Sequence, residues 1–238
     1  MRLAFLSDIH GNAVALDAVL EDISKRNVDK IIILGDISYR GPEPKRALEL
    51  VKSLHANVIK GNADEWVVRG IKEGEVAESA LQMMKKERDW IYKRLDEADI
   101  RYLAELPTET KLETENIRIH AFHATPDSLF DVVQPFESDG ALLDKMMKSG
   151  ADIFIYAHIH KPFIRYIEGK CLINIGSVGL PFDGLTKSSY AIVDLKEGNF
   201  QTSIVRVDFD LEKVIKQYQE EDYPNSEQMI KVIQNARI

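Results

Sequence analysis

The first third of the chain alternates short apolar runs with segments whose apolar residues recur at helical spacing. Residues 2–7 and 30–34 are apolar runs of the length and composition of buried strands. Residues 12–26 repeat apolar side chains every three or four positions, which predicts a helix, and Pro44 opens a second one. With a third strand at residues 56–60, this β-α-β-α-β order predicts parallel strands joined by right-handed crossovers.

The pattern changes twice further along the chain. Between about residues 64 and 106 the spacing is helical, which predicts an insert that either caps the site or only packs beside it. From Thr108 on, we expect helices at 139–148 and after Val207, and strands paired as hairpins. The predicted turns are Glu115-Asn116, Glu168-Gly169-Lys170 and Glu197-Gly198. We therefore predict one domain over residues 1–238, an α/β four-layer α-β-β-α sandwich of two mixed sheets.

Composition narrows the compartment and the partners. The 238 residues are 45% hydrophobic, enough to bury a core, and carry a formal net charge of -8. This acidic balance argues against binding a nucleic-acid duplex through its backbone, while small phosphate-bearing substrates remain compatible with it. The single cysteine, Cys171, cannot form an internal disulfide, and no apolar stretch is long enough for a signal peptide or a membrane span. We expect a cytoplasmic protein that does not bind membranes.

Acidic and imidazole side chains are concentrated in five short segments, each where a predicted strand ends. Ligands of such sheets bind beyond the carboxyl ends of the strands. A carboxylate together with imidazoles suits manganese, zinc or iron better than calcium, and the Asp36 carboxylate has two oxygens with which to bridge two cations. Each motif alone is common, but five in this order indicate a site for two metal ions. The segments are Asp8-Ile-His10, Gly35-Asp36-Ile-Ser-Tyr-Arg40-Gly41, Gly61-Asn62-Ala63-Asp64, His123 and His158-Ile-His160.

The order D-x-H, G-D-x-x-x-R-G, G-N-x-[DE], H and H-x-H resembles the calcineurin-like metallophosphoesterases. The sequence looks closest to their small bacterial and archaeal phosphodiesterase branch, and the similarity extends through residues 40–44, 123–126 and 174–181. It covers roughly residues 1 to 194. The resemblance implies the fold of this family, which is a pair of mixed sheets flanked by helices.

The resemblance also implies a role for each matching residue. It implies two divalent cations, most often manganese, with iron, zinc, nickel or magnesium as the alternatives, and a bridging hydroxide that attacks phosphorus. Asp36, as the shared ligand, and Asn62 would take part in catalysis, and Arg40 would neutralise the developing phosphoryl charge; the other reading of Arg40 is a surface arginine that closes a loop. The first metal would be held by Asp8, His10, Asp36 and His160, and the second by Asp36, Asn62, His123 and His158.

Ala63 departs from the family pattern, because many members carry a histidine there that can protonate the leaving oxygen. General acid catalysis contributes roughly 10²–10⁴-fold, and alkoxide leaving groups need it most. We therefore predict a phosphodiesterase or nucleoside-polyphosphate hydrolase that acts on small phosphoesters or nucleotides. One alternative is a phosphomonoesterase, including a protein phosphatase. Another is a non-catalytic scaffold like the retromer subunit that this family resembles, although all seven ligand positions are kept here. A homo-oligomer is left open.

Several other residues are assigned structural roles. Asp64 is expected to cap the following helix, and His55 to lie at the surface. His120 lies on the strand face opposite to His123, which predicts packing or a surface position. Trp66 and Trp90 are expected in the core, with stacking on a nucleobase as the alternative. The backbone amides of residues 176–179 either approach a phosphate or form a tight turn.

Overall fold

The computed structural model describes residues 1–237, which form two five-stranded sheets and eight helices. The strands are β1 (Arg2–Leu6), β2 (Lys30–Ile33), β3 (Asn57–Val58), β4 (Glu109–Thr114), β5 (Ile117–Phe122), β6 (Ile153–Tyr156), β7 (Phe163–Ile167), β8 (Lys170–Asn174), β9 (Ser188–Lys196) and β10 (Asn199–Val207). The helices are α1 (Ala13–Ser24), α2 (Pro44–Ser53), α3 (Asn62–Arg69), α4 (Glu78–Tyr92), α5 (Glu97–Glu105), α6 (Asp139–Met146), α7 (Leu211–Glu220) and α8 (Ser226–Asn235).

Both sheets are mixed. The first has the order β10-β9-β1-β2-β3, in which β1, β2 and β3 are parallel and the hairpin of β9 and β10 is antiparallel. The second has the order β4-β5-β6-β8-β7, with β5, β6 and β8 parallel between two antiparallel edge strands. The parallel first third and the three hairpins are therefore confirmed.

The two sheets pack face to face through aliphatic side chains. Leu3 and Phe5 of β1 are buried in the same cluster as Ile119 of β5 and Ile155 of β6. The alternate residues of β1 point to the outer side, where Leu6 joins a second cluster with α1, the insert helices and the C-terminal helices. Helix α6 covers the outer face of the second sheet. The result is the predicted four-layer arrangement of helices, two sheets and a further helix.

Some boundaries differ from the predictions. The third strand was predicted over residues 56–60 but only Asn57–Val58 pairs as a strand, because Lys60 already donates its backbone N–H to Pro107 O. Asn62 was predicted at a strand end, and it is instead the first residue of α3. The predicted insert corresponds to α3, α4 and α5. That the whole chain forms one domain stays a prediction.

The C-terminal helices pack against the insert. The rings of Trp90 in α4 and Tyr223, between α7 and α8, meet edge to face with centroids 4.9 Å apart. Tyr218 of α7 contacts the same Tyr223 ring at 5.2 Å. Within the described part of the chain, no helix is long and apolar enough to cross a membrane.

Candidate metal centre

The structure brings the seven predicted ligand side chains together at one edge of the two sheets. Loops after β1, β2, β5 and β6 carry the residues, and α3 contributes Asn62 from its first turn. Six of the seven are buried, and His158 is half-buried at the rim. Because parallel strands expose their carboxyl ends at a common edge, local motifs that are far apart in sequence converge there. The seven residues are Asp8, His10, Asp36, Asn62, His123, His158 and His160.

One group of donor atoms surrounds Asp8. Its Oδ1 lies 3.1 Å from His160 Nε2 and 3.7 Å from His10 Nε2. The two imidazole Nε2 atoms are themselves 3.2 Å apart. The three residues therefore offer one carboxylate oxygen and two ring nitrogens within 4.8 Å of one another. These residues belong to the set that the family resemblance implies for the first metal, and its fourth member, Asp36, has Oδ2 3.6 Å from His10 Nε2.

A second group of donor atoms surrounds Asn62. Its Oδ1 lies 2.9 Å from His123 Nε2 and 2.8 Å from His158 Nδ1. His123 Nε2 is also 3.5 Å from Asp36 Oδ2, so the Asp36 carboxylate stands between the two groups. The geometry differs from the implied assignment in one respect. Asp8, Asp36 and His123 also present ligand atoms within 4.8 Å of one another, so Asp8 borders both groups.

Backbone carbonyls fix which ring nitrogen each histidine presents. His10 Nδ1 donates to Tyr39 O at 2.8 Å, His123 Nδ1 donates to Leu34 O at 2.6 Å, and His160 Nδ1 donates to Leu180 O. A carbonyl oxygen can only accept, so in each neutral ring the proton is on Nδ1 and the lone pair is on Nε2. All three lone pairs point into the site. Such contacts orient metal-binding histidines, and no sequence pattern indicated them.

The site collects acceptors without matching donors. His10 Nε2 and His160 Nε2 face each other as two lone pairs, and the buried Oδ1 of Asp8 has no hydrogen-bond partner. Buried acceptors left without a donor are costly unless a cation neutralises them. A set of carboxylate, amide and imidazole donors suits divalent transition metals. The residues present therefore fit the metal ions that the sequence implies.

Burial and mutual charge shift the pKa values of these groups. Burial raises the pKa of Asp36 to about 7, with His10 acting against this shift and Asp8 adding to it. Burial also acts to raise the pKa of Asp8, but the imidazoles of His160 and His10 outweigh it and hold this pKa well below its ordinary value. Burial, assisted by His123, lowers the pKa of His158 to about 3, so this ring is neutral near pH 7. A neutral imidazole is the form that binds metals.

The backbone at the site is strained. Five of the seven ligand residues have positive φ, and so does Arg40 at 74°. Residues other than glycine rarely adopt this region, and such strain persists where the surroundings impose it, often at functional sites. The five are Asp8 (52°), His10 (49°), Asp36 (54°), His158 (65°) and His160 (55°). Tight loops therefore aim these side chains into the site at a conformational cost.

Two glycines allow the loops to approach closely. A Cβ on Gly61 would lie 2.1 Å from Asp36 Oδ1, and one on Gly41 would lie 1.8 Å from His10 O. No side chain fits at either place without moving a ligand loop. This gives a physical reason for the glycine in the G-N-x-D motif and for the one that follows Arg40.

Asp64 takes a role different from the predicted one. Gly61, not Asp64, is the N-cap of α3, and Asp64 is its third residue. The Asp64 carboxylate accepts backbone N–H groups of Gly61 at 2.9 Å, Asp36 at 2.8 Å and Ile37 at 2.9 Å. Burial, together with the charge of Asp36, raises the pKa of Asp64 to about 6. Asp64 therefore caps the helix and also holds the loop that carries Asp36.

Ala63 lies at the wall of the site. It is 1% exposed, and its backbone N–H donates to Asp36 Oδ1 at 2.8 Å. It borders a cavity of about 200 Å³ that is also lined by Arg40, Trp66 and ligand residues on both sides of Asp36. Arg40 therefore lies beside the candidate ligands, although its role stays a prediction. Trp66 is buried as predicted, and its side chain also lines this cavity.

The remaining assignments are resolved as follows. His120 is buried away from the site, with Nε2 2.7 Å from Glu109 Oε2, and His55 is exposed, as predicted. Three of the four backbone amides of residues 176–179 form hydrogen bonds within the protein. Gly176 N–H donates to Asn174 Oδ1, Val178 N–H to Ser7 O, and Gly179 N–H to Asp8 O. The turn therefore holds the Asp8 loop, which supports the interpretation as a tight turn.

A larger groove opens beside the site. It has a volume of about 710 Å³ and shares His158 and Phe182 with the ligand region. Phe182 stacks on His160 with ring centroids 4.2 Å apart. Lys161 and Arg237 also line the groove, and its one acid, Asp183, contacts Arg206 as an ion pair. Within residues 1–237, Lys161 forms no ion pair. Among the described residues, the groove is therefore lined by two cationic side chains and by one carboxylate that is already paired.

Comparison with known proteins identifies the family. A sequence profile for the calcineurin-like phosphoesterase superfamily domain matches residues 1–198. An uncharacterized protein of Methanocaldococcus jannaschii is 32% identical over 232 residues, covering 89% of each chain.

Two solved structures share the fold along nearly the whole chain. One is a hypothetical protein from Pyrococcus horikoshii, with a TM-score of 0.84 and 22% identity over 98% of this chain and 97% of that one. The other is a metallophosphoesterase from Sphaerobacter thermophilus, with a TM-score of 0.79 and 24% identity over 99% of each chain. These likenesses show the fold, and the profile and the archaeal relative show the family. The chain belongs to the calcineurin-like phosphoesterase superfamily, whose members include metal-dependent phosphoesterases.

Proposed function

We propose that this protein is a dinuclear metal-dependent phosphoesterase that hydrolyses phosphodiesters or nucleoside polyphosphates. The observation that carries the proposal is the convergence of seven metal-competent side chains on two sides of Asp36. His10 Nε2 faces His160 Nε2, and the buried Asp8 Oδ1 has no hydrogen-bond partner among the described residues. Two bound divalent cations would supply an activated water and neutralise charge on the phosphoryl group. Asp8, His10, Asp36 and His160 would hold one, and Asp36, Asn62, His123 and His158 the other.

Arg40 supports phosphoryl chemistry at this centre. Its side chain lines the 200 Å³ cavity together with His10 and Asn62. A planar guanidinium can bind two phosphoryl oxygens at once, and its charge offsets the charge that develops there in the transition state. We assign to Arg40 the binding of the phosphoryl group opposite the metal ligands.

The absence of a proton donor at position 63 supports esters with good leaving groups. Few other side chains that line the small cavity could donate a proton to the leaving group. The Tyr39 hydroxyl lies against Met84 O and the Glu87 carboxylate, and burial raises its pKa above the ordinary value. Arg40 remains protonated, and the ring of His158 is neutral. A leaving group that departs as a phosphate or an acidic alcohol needs no such donor.

The larger groove beside the site supports a substrate with a second anionic group. Lys161 and Arg237 line this groove next to the ligand His158, and Phe182 offers an apolar surface beside them. Cations placed there would attract a further phosphate, and the ring could contact a base or sugar. This combination favours nucleotide-like substrates over phosphorylated proteins.

A substrate panel with added manganese tests the proposal. We expect dinucleoside polyphosphates, whose leaving group is a phosphate, to be hydrolysed with higher kcat/KM than phosphoserine peptides. Cyclic nucleotides, which release a sugar hydroxyl, serve as a second comparison in the panel. Equal or faster cleavage of phosphoserine peptides by the wild type would contradict the assignment. Metal analysis then tests the scaffold alternative. Fewer than one transition metal per chain, with no activity on bis(p-nitrophenyl) phosphate, would favour a scaffold.

Ala63→His tests the reasoning on leaving groups. A histidine here would border the cavity, so we expect the ratio of alkyl-ester to nitrophenyl-ester hydrolysis to rise at least about tenfold, on the low side of a general-acid contribution. Ala63→Asn is the matched control because it adds similar bulk without a proton donor. The same rise with asparagine would show that bulk rather than acid catalysis is responsible.

A further inference from the structure

Glu87 is a buried charged residue on the apolar side of an insert helix. It has 0% exposure and shares the inward face of α4 with Leu81, Met84 and Ile91. A carboxylate at such a position is costly unless charged or polar partners surround it, and a leucine or methionine would fill the same space more cheaply. The burial of Glu87 therefore indicates that it interacts with a specific charged or polar group.

The partners of Glu87 come from two distant parts of the chain. Arg40 Nε lies 3.5 Å from Glu87 Oε2, and the Tyr39 hydroxyl lies 3.3 Å from the same oxygen. Both belong to the loop that follows the ligand Asp36. Asn225, at the start of α8, donates from Nδ2 to Glu87 Oε1 at 3.0 Å. The carboxylate therefore joins the insert, a loop of the metal centre and the C-terminal helices.

The C-terminal helices also contact the backbone of Arg40. The hydroxyl of Tyr218 in α7 donates to Arg40 O at 2.6 Å. The backbone of Arg40 has a φ of 74°, a conformation that arginine rarely adopts. Arg40 is thus held from the backbone by the C-terminal helices and from the side chain by the insert.

The contacts that hold Arg40 do not involve the two terminal nitrogens of its guanidinium group. The contact with Glu87 is made by Nε, and among residues 1–237 no acceptor binds either terminal guanidinium nitrogen of Arg40. Those two nitrogens are the pair that can bind two phosphate oxygens in parallel. Because the Glu87 carboxylate contacts Nε, the two terminal nitrogens of the guanidinium group can bind an anion.

We propose that Glu87 is a positioning residue, which holds Arg40 so that its two terminal nitrogens face the phosphoryl group at the metal centre. The insert and the C-terminal helices then have a shared function, since α4 supplies Glu87 and the C-terminal segment supplies Tyr218 and Asn225. This inference rests on the proposed function for the role of Arg40. The positioning of the side chain itself can be measured independently of activity.

The central test is a double-mutant cycle on the full-length, manganese-loaded protein. Glu87→Gln keeps the shape and removes the charge, and we expect kcat on bis(p-nitrophenyl) phosphate to fall about 10–100-fold, as for other residues that orient an active-site group. KM should change less than kcat. Arg40→Ala should lower kcat further, and adding Glu87→Gln to Arg40→Ala should then have no additional effect. The same loss in both backgrounds would overturn the proposal, because Glu87 would be acting without Arg40.

Asp99→Asn is the matched control. Asp99 is also a buried carboxylate of the insert, 1% exposed, but it pairs with Lys45 and Lys52 rather than with Arg40. Its substitution should lower the midpoint of thermal unfolding and leave kcat unchanged. A loss of kcat in Asp99→Asn equal to that in Glu87→Gln would mean that general weakening of the insert is responsible, and would also overturn the proposal.

Two further measurements keep the outcomes separate. If Glu87→Gln does not fold, Glu87→Asp can replace it, because aspartate retains the charge on a side chain that is one methylene shorter. This substitution should lower kcat when Arg40 is present and have no effect on kcat in Arg40→Ala. Nitrogen-15 NMR of the Arg40 Nε–H reports positioning directly. We expect slow exchange of this proton in the wild type and fast exchange in the Glu87 variant. No activity in the wild type would refute the proposed function, whereas an unchanged Nε–H signal would refute the positioning.

Discussion

Two regions of buried polar groups meet at this site, and they are built in opposite ways. The ligand region consists of short loops at strand ends, where residues two positions apart, such as His158 and His160, share one task. The surroundings of Arg40 instead join segments that are far apart in the sequence. Glu87 is 47 residues from Arg40, and Tyr218 is 178 residues away. In the proposed function, the first region would hold the metal ions, and the second would orient the Arg40 side chain.

The difference determines what holds each region in place. Ligand loops are fixed by neighbouring backbone, as when Leu34 O and Tyr39 O accept from histidine rings. Of the outer helices, α3 contributes to this region through Asn62 and Asp64 in its first turn. Arg40 depends on the packing of α4 against α7 and α8, so damage to these helices should reach it first. Substitutions in the ligand region should therefore cost metal and activity together, and those near Arg40 should cost activity alone.

The largest expected effect is that of Asp36→Asn. Asp36 stands between both groups of donors, and its loss removes the shared carboxylate while keeping the side-chain volume. We expect kcat to fall on the order of 10²–10³-fold or more, the cost of removing a preorganised electrostatic group. Bound metal should drop below that of the wild type, as measured by elemental analysis after dialysis. Asp22→Asn, at a carboxylate that binds Arg26 and Tyr190, is the control and should change neither quantity.

Asp64→Asn should have the next largest effect. The Asp64 carboxylate accepts three backbone N–H groups, two of them in the loop of Asp36, and an amide oxygen is a weaker acceptor for all three. We expect metal affinity to fall about 10–100-fold, with kcat at saturating manganese much less affected. Titration with manganese separates the two quantities. Wild-type affinity in this variant would mean that Asp64 serves the helix end and not the ligand loop.

The sequence predicted the fold and the ligand region well because both depend on local patterns. Alternation of strands and helices gave the parallel half, and glycine-containing turns gave the hairpins. Ligand motifs were visible because parallel strands bring their carboxyl ends to one edge wherever they lie in the chain. The length of β3 was overestimated because an edge strand can leave its partner early, and here Lys60 turns to Pro107.

The surroundings of Arg40 could not be predicted because they depend on how helices pack over long separations. One signal was present, since Glu87 stands where the 3.6-residue period of α4 calls for an apolar side chain. Its partners had no such sign. The positive φ values of Arg40 and of five ligands were equally hidden, because the surrounding loops impose them at positions that carry no glycine.

Tyr218→Phe probes the second region with a smaller change. It removes the hydroxyl that donates to Arg40 O and leaves the ring in place. The loss of one hydrogen bond should lower the free energy of unfolding by about 1 kcal/mol. We also expect a fall in kcat with unchanged metal content, because Arg40 loses its backbone restraint. Tyr190→Phe loses a comparable bond to Asp22 and should show the stability change alone. Equal kcat values for Tyr218→Phe and Tyr190→Phe would mean that the C-terminal helices do not help to position Arg40.

The smallest effect on the site is expected from His120→Gln, which tests where the ligand region ends. His120 lies on β5 three residues before the ligand His123, but it packs against Glu109 and Ser149 on the other side of the sheet. Metal content and kcat should therefore match the wild type. Loss of the hydrogen bonds should lower the free energy of unfolding by about 1 kcal/mol near neutral pH. Reduced metal content would place His120 within the ligand region after all.

The pH dependence of the same variant sharpens this boundary. Burial lowers the pKa of His120 below 6.5, although the Glu109 carboxylate acts in the opposite direction. In the window between the lowered pKa and 6.5, the unfolded chain therefore binds more protons at this residue, and the wild type loses stability as the pH falls through that window. Glutamine does not titrate, so the stability advantage of the wild type should shrink from about pH 7.5 to about pH 5.5. Urea unfolding of both proteins with a metal chelator measures this difference, because contributions from the ligand residues then cancel. An advantage that grows at the lower pH would mean that the folded protein favours protonated His120, paired with Glu109.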